Sequence, residues 1–182
     1  MDPEHTTDGA ERSTILVLCT GNATRSVIAG AVLRAHLPDV EVVTAGTMSI
    51  DGLPMSWRTK AGLQFVGVPA PNHRSRQVQP ADLDRAALVI ALAPEHVQWV
   101  RREHPAAAAK TVTLRRLARQ LPADDTPLAA RVAALGLADV ELAAWEEVVD
   151  PGGGEVEAFT ACAREVVDLV DALADRLRGP AT

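Results

Sequence analysis

The chain has 182 residues, 47% of them hydrophobic and 23% charged, with a formal net charge of -6. That length suits one domain with a sizeable core. The acidic balance gives no support for a nucleic-acid or anionic-membrane surface, and two cysteines, Cys19 and Cys162, make no disulfide framework.

No apolar stretch approaches the length that spans a bilayer. Residues 1–13, "MDPEHTTDGAERS", are polar and lack the apolar core of a secretory leader. They read as a disordered tail before one domain over residues 14–182. A cytoplasmic, reducing location is expected, and a free thiol survives there.

"TILVLC" is a short β-branched run that ends at Cys19 and predicts a buried strand. After the loop that follows, Ile28, Val32, Leu33 and Leu37 fall at helical spacing, and Pro38 stops the helix. "VEVVTAG" predicts a second strand, residues 56–66 a helix, and "GVPAPNHRSRQVQP" an ordered connection with three prolines. "AALVIALA" predicts a third strand, and Pro94 opens a helix that Pro105 closes. "KTVTL" predicts a fourth strand. Residues 114–148 read as helical but broken by Pro122, Pro127 and Gly136; "VVDPGGGE" is loop; residues 155–177 form a last amphipathic helix. Strands alternating with helices predict an α/β fold, a mostly parallel sheet with helices on both faces. Ligands of such sheets sit beyond the carboxyl ends of strands, where the Cys19 loop falls.

The loop "CTGNATRS" has the makings of an oxyanion site. Gly21 permits turns that a side chain would block. Small neighbours let successive N–H groups converge as an anion nest, and a helix starting near Arg25 adds its positive end. Thr20, Gly21, Asn22, Ala23, Thr24, Arg25 and Ser26 are the candidate phosphate-binding residues. Arg25 offers a planar fork for two phosphoryl oxygens. Such a field favours the thiolate of a cysteine, the form that attacks phosphorus. Taken alone, Cys19 at a strand end is as often an inert small hydrophobe; the strand–loop–helix setting favours chemistry. Displacing an alkoxide also needs a proton donor. Asp150 is the candidate, held extended by Pro151 and followed by three glycines, although Asp-Pro-Gly by itself is an ordinary turn.

Together these pieces resemble the low-molecular-weight protein tyrosine phosphatase family. The resemblance rests on "VLCTGNATRS", "TAGT" at 44–47, "HRSRQV" at 73–78 and "VVDP" at 148–151, and runs in order over roughly residues 15–177. It implies a single-domain, four-stranded parallel sheet of order 2-1-3-4. It also implies phosphate-monoester hydrolysis through a phosphocysteine, with no cofactor and no metal. Cys19 matches the nucleophile, Arg25 the phosphate clamp, Ser26 the hydroxyl beside the thiol and Asp150 the general acid. Asn22 matches an asparagine that holds the loop's shape, and Thr44 and His73 the groups that support it. The implied partner is a phosphorylated protein, with phosphotyrosine foremost, or a small phosphorylated molecule.

The pattern departs from the family at several positions. Thr24 stands where a second cysteine is usual, so an intraloop disulfide is impossible. Ala23 stands where tyrosine phosphatases carry isoleucine and arginine phosphatases threonine, and Val27 replaces a proline. Met48 and Ile50, and the glycines after Pro151, stand where aromatic residues usually flank the substrate ring. Ala93 replaces an acidic residue. The stretch 122–144 looks long and is expected to cover one side of the cleft. Trp57 and Trp145 are candidate borders of that cleft, while Trp99 is expected to pack on the sheet. The pairs at 101–102 and 115–116 read as solvated arginines. Phosphoarginine or metabolite hydrolysis, arsenate reduction and non-catalytic phosphate binding are the competing functions. Arsenate reduction needs relay cysteines, and Cys162 lies in the last helix, where packing is the simpler role.

Overall fold

A computed structural model of the protein describes residues 13–178, without the side chain of Arg178; the expected tail, Ser13 apart, lies outside the described residues. Four parallel strands make the sheet: β1 (Thr14–Cys19), β2 (Glu41–Gly46), β3 (Leu88–Ala91) and β4 (Thr111–Thr113). Their order is β2-β1-β3-β4. Thr14 to Cys19 pair in register with Glu41 to Gly46 on one side, and Ile15 to Leu18 with Leu88 to Ala91 on the other. The direction of winding therefore reverses at β1, and its carboxyl end, Cys19, lies at the crevice this creates.

Successive residues of β1 face opposite ways, as a strand requires. Ile15, Val17 and Cys19 enter the larger core with Ile28, Leu33, Leu63, Val166 and Leu173. Leu16 and Leu18 enter the smaller one with Leu83, Val89 and Val100. The first core lies under α1 (Arg25–His36), α2 (Trp57–Phe65), α5 (Leu114–Gln120) and α7 (Val156–Arg178). The second lies under α3 (Pro80–Arg85) and α4 (Pro94–Glu103). Trp99 packs against this smaller core, as expected.

Local chemistry sets the helix starts. The Ser56 hydroxyl accepts the Thr59 N–H at 3.1 Å and caps α2; Thr113 does the same for Arg116 N–H at 3.2 Å and starts α5. Helix α3 begins at Pro80, and the Asp82 carboxylate accepts the Gln79 N–H at 2.9 Å.

Two expectations need correction. Residues 122–133 do not border the Cys19 crevice. Their helix α6 (Leu128–Ala133) lies at the opposite end of the sheet, where Leu128 and Arg131 line a groove of about 250 Å³ with Ser13, Ile15 and Leu177. Arg131 binds the Arg176 and Leu177 carbonyls at the end of α7, which holds the segment there. Arg116 is likewise no solvated cation. It is buried on Glu146, itself fully buried, with contacts of 2.6 and 2.9 Å. Trp145 packs beneath the guanidinium groups of Arg116 and Arg119. No helix among the described residues is long and apolar enough to cross a membrane.

Candidate active site

The loop from Cys19 to Thr24 is built by tying its carbonyls outward. The Cys19 and Thr20 carbonyls accept the N–H groups of Thr47 and Met48, both at 2.9 Å. The Gly21 carbonyl accepts the Ser49 hydroxyl at 2.9 Å, and the Asn22 carbonyl the His73 Nε2–H at 2.7 Å. The Ala23 carbonyl accepts the Thr59 hydroxyl at 3.3 Å, and the Thr24 carbonyl the Ile28 N–H at 2.9 Å. A peptide N–H points opposite to its carbonyl. Six outward carbonyls therefore turn the loop's N–H groups to its concave side, at the start of α1, which is the geometry of an anion nest.

Asn22 is fully buried and left-handed, with φ of 50°, a conformation that costs an ordinary side chain of order 1 kcal/mol or more. Its side chain offsets that cost. Oδ1 accepts the Arg76 N–H and Nδ2 donates to the Ser26 hydroxyl, both at 3.0 Å. With that lone pair occupied, the Ser26 hydroxyl is free to donate to Cys19 Sγ, 3.0 Å away. Asn22, Ser26 and Cys19 form one buried chain of contacts. Gly46 makes room for it, since a Cβ there would stand 2.5 Å from the Thr20 carbonyl and 3.0 Å from the Asn22 nitrogen.

Arg25 is 3% exposed, with its guanidinium at the loop's mouth. Nη1 donates to the Val148 carbonyl at 3.3 Å and Nη2 to Asp150 Oδ2 at 2.9 Å. The other oxygen of Asp150 accepts the Gly152 N–H at 2.9 Å. The sequence 148–152 thus carries Asp150 across 125 positions of chain onto the arginine of the loop.

The structure brings Cys19, Asn22, Arg25, Ser26, His73 and Asp150 together. It does not bring Thr44. That residue pairs with Val17 in mid-sheet, and its methyl group stands 2.4 Å from where a Cβ on Gly30 would be. Asn22 is held by Ser26 and Arg76 instead. Ser49, Thr59 and the Arg76 amide are supports that sequence reading missed, because backbone-directed contacts leave no motif. Sequence reading also missed His96 and Glu95 in the first turn of α4. His96 is 1% exposed, and its Nε2 lies 3.0 Å from the Thr20 hydroxyl and 3.3 Å from Glu95 Oε1. Burial pushes its pKa down to about 3; the Arg25 charge adds to this and Asp150 opposes it. Burial also lowers the pKa of His73, against the Asn22 carbonyl that raises it. Cys162 is buried in the core, and burial followed by the charge of Glu165 pushes its thiol up to about 12. Among the described residues, no group of three or more His, Cys, Asp or Glu is placed to hold a metal ion.

A strand-end cysteine and an arginine that bracket an anion nest, with an aspartate laid over the mouth, define the class of cysteine-based phosphatases. Residues 14–129 match the family model for low molecular weight phosphotyrosine protein phosphatase. The chain belongs to that family, and with it to the phosphatases. A protein-arginine-phosphatase of Geobacillus stearothermophilus is 32% identical over 165 residues, 90% of this chain and 95% of the relative. A probable low molecular weight protein-tyrosine-phosphatase, EpsP of Ralstonia nicotianae, is 34% identical over 93 residues, 51% of this chain and 64% of the relative. Among solved structures, the YwlE arginine phosphatase from Geobacillus stearothermophilus superposes with a TM-score of 0.72 at 30% identity, covering 91% of this chain and 93% of that one. The low molecular weight protein tyrosine phosphatase from T. tengcongensis gives 0.71 at 26% identity, over 88% and 97%.

Proposed function

We propose that the protein removes phosphate from phosphorylated side chains of proteins, phosphotyrosine foremost, through a phosphocysteine on Cys19. The observation that carries this reading is the buried Asn22–Ser26–Cys19 chain at the floor of the nest, with 3.0 Å between hydroxyl and thiol. A site that only bound phosphate would need no nucleophile with a hydroxyl aimed at it.

The substrate's phosphoryl group enters the nest and takes the Arg25 fork, freeing Asp150 from Nη2. The Cys19 thiolate attacks phosphorus, forming the S–P bond while the P–O bond to the leaving group breaks. Asp150 gives its proton to the departing oxygen. The loop amides and Arg25 hold the equatorial oxygens as charge builds. Asp150, now ionised, takes a proton from water as water attacks phosphorus; the S–P bond breaks, and the Ser26 hydroxyl stabilises the returning thiolate. None of these steps uses a cofactor. A reducing cytoplasm suits this chemistry, because Thr24 leaves Cys19 without a partner thiol inside the loop.

A second reading, hydrolysis of phosphoarginine, is supported by the full-length likeness to an arginine phosphatase. Hydrolysis of p-nitrophenyl phosphate, compared between wild type and Cys19→Ser, tests the phosphatase reading. Turnover that vanishes in the variant supports it, and turnover that survives refutes it. Phosphotyrosine and phosphoarginine peptides then separate the substrates.

A further inference from the structure

Glu95 is a carboxylate at the mouth of the site that the steps above leave unused. Its Oε1 sits 3.4 Å from the Thr20 hydroxyl, 3.3 Å from His96 Nε2 and 3.9 Å from Arg25 Nη2. These contacts place the carboxylate beside the loop's Thr20, within ion-pair distance of the guanidinium nitrogen that also holds Asp150. Among the described residues no hydrogen bond engages its Oε2, and the side chain is 66% exposed.

The one cation that faces Glu95 among the described residues is Arg25, at 3.9 Å. His96 stays uncharged down to about pH 3. Nδ1 has no hydrogen-bond partner among the described residues, while Nε2 faces the Thr20 hydroxyl and the Glu95 carboxylate, a setting that favours the tautomer with its proton on Nε2. Arg25 is shared with Asp150 and is the group a phosphoryl ligand takes. A fixed negative charge this near a dianion's seat opposes phosphate binding, unless the ligand brings a positive charge beside its phosphoryl group.

We propose that Glu95 is a specificity-determining residue, which selects substrates with a cationic group next to the phosphoryl group. This rests on the phosphatase reading and narrows its substrate class. The cation can come from two sources: the guanidinium of phosphoarginine, or an arginine or lysine beside a phosphotyrosine. In both, an N–H donor reaches Oε2.

The test compares wild type with Glu95→Gln, which keeps the shape and removes the charge, and Glu95→Lys, which reverses it. Competitive inhibition by inorganic phosphate should tighten about tenfold in the glutamine variant and further in the lysine variant. The kcat/KM of wild type should be highest for a phosphoarginine peptide, or for a phosphotyrosine peptide flanked by arginine rather than glutamate. The first arm points to the substrate's own guanidinium, the second to a neighbour. That preference should fall about tenfold in Glu95→Gln, mainly through KM, and invert in Glu95→Lys. Unchanged phosphate inhibition and unchanged preference in both variants overturn the proposal. Cys19-dependent hydrolysis of p-nitrophenyl phosphate by wild type is scored in parallel. If it is present, a negative result sinks only the role of Glu95; if it is absent, the phosphatase reading itself fails.

Discussion

Taking the protein from pH 7 to pH 5 is expected to cost about 2 kcal/mol of folding stability through His96 alone. Burial holds its pKa near 3 in the folded protein, and the unfolded chain restores it to about 6.5. Between these values the unfolded chain binds a proton that the folded one refuses. The contribution is therefore complete above pH 6.5 and is lost progressively as pH falls towards 3. At pH 5 the unfolded imidazole is almost fully protonated and the folded one is not, which gives the 2 kcal/mol, of about 5 available over the whole window. Urea midpoints of wild type and His96→Gln at the two pH values measure it. Glutamine, whose amide nitrogen falls where Nε2 does, keeps a donor for the Thr20 hydroxyl but cannot titrate. His73, whose pKa burial also lowers, contributes with the same sign in both proteins and cancels. The variant should lose about 2 kcal/mol less than wild type between pH 7 and 5. Parallel losses in the two proteins would refute the neutral, desolvated state of His96.

Other positions make equally direct demands. Gly46→Ala places a methyl against the Thr20 carbonyl and Asn22 nitrogen, so the loop must shift; kcat/KM should fall by about 10² or more, with phosphate binding weakened. Glu146→Ala leaves Arg116 buried without its carboxylate and should cost about 3–5 kcal/mol in a urea titration, far more than an exposed pair. Asp150→Ala should lower kcat/KM, which reports only the steps up to departure of the leaving group, by about 10²–10⁴ on alkyl phosphates and much less on p-nitrophenyl phosphate, whose leaving group needs little protonation. Equal losses on both would remove Asp150 from the acid role.

The strands and the main helices were legible because β-branched runs and Pro-bounded helical periods each point one way, whereas the strand order came from the family resemblance. Residues 80–85 were not. Their helix is too short for a period to register, and only Pro80 with Asp82 two residues on marks it. The first part of the 122–144 stretch was misplaced because polarity says nothing about which end of a sheet a segment caps; the contacts of Arg131 with the end of α7 decide it. In the site, the loop motif and Asp150 stood out because side chains carry their roles. Ser49, Thr59 and the Arg76 amide act on backbone carbonyls or on Asn22, and such contacts exist only once the chain is folded. Thr44 was assigned by motif, yet its place opposite Val17 turns it to Gly30. His96 and the Arg116–Glu146 pair share one lesson. A charged or titratable residue within a polar run reads as solvated until the fold shows what covers it.

The central claim is that phosphate passes through Cys19. Rapid quenching of the enzyme with a phosphotyrosine or phosphoarginine peptide, followed by mass spectrometry of the segment that contains Cys19, tests it most directly. The account predicts one phosphoryl group on Cys19 during turnover, enriched when Asp150 is replaced and water activation slows, and absent in Cys19→Ala. Turnover with no phosphoryl group on Cys19 at any quench time, or an unchanged rate in Cys19→Ala, would contradict it.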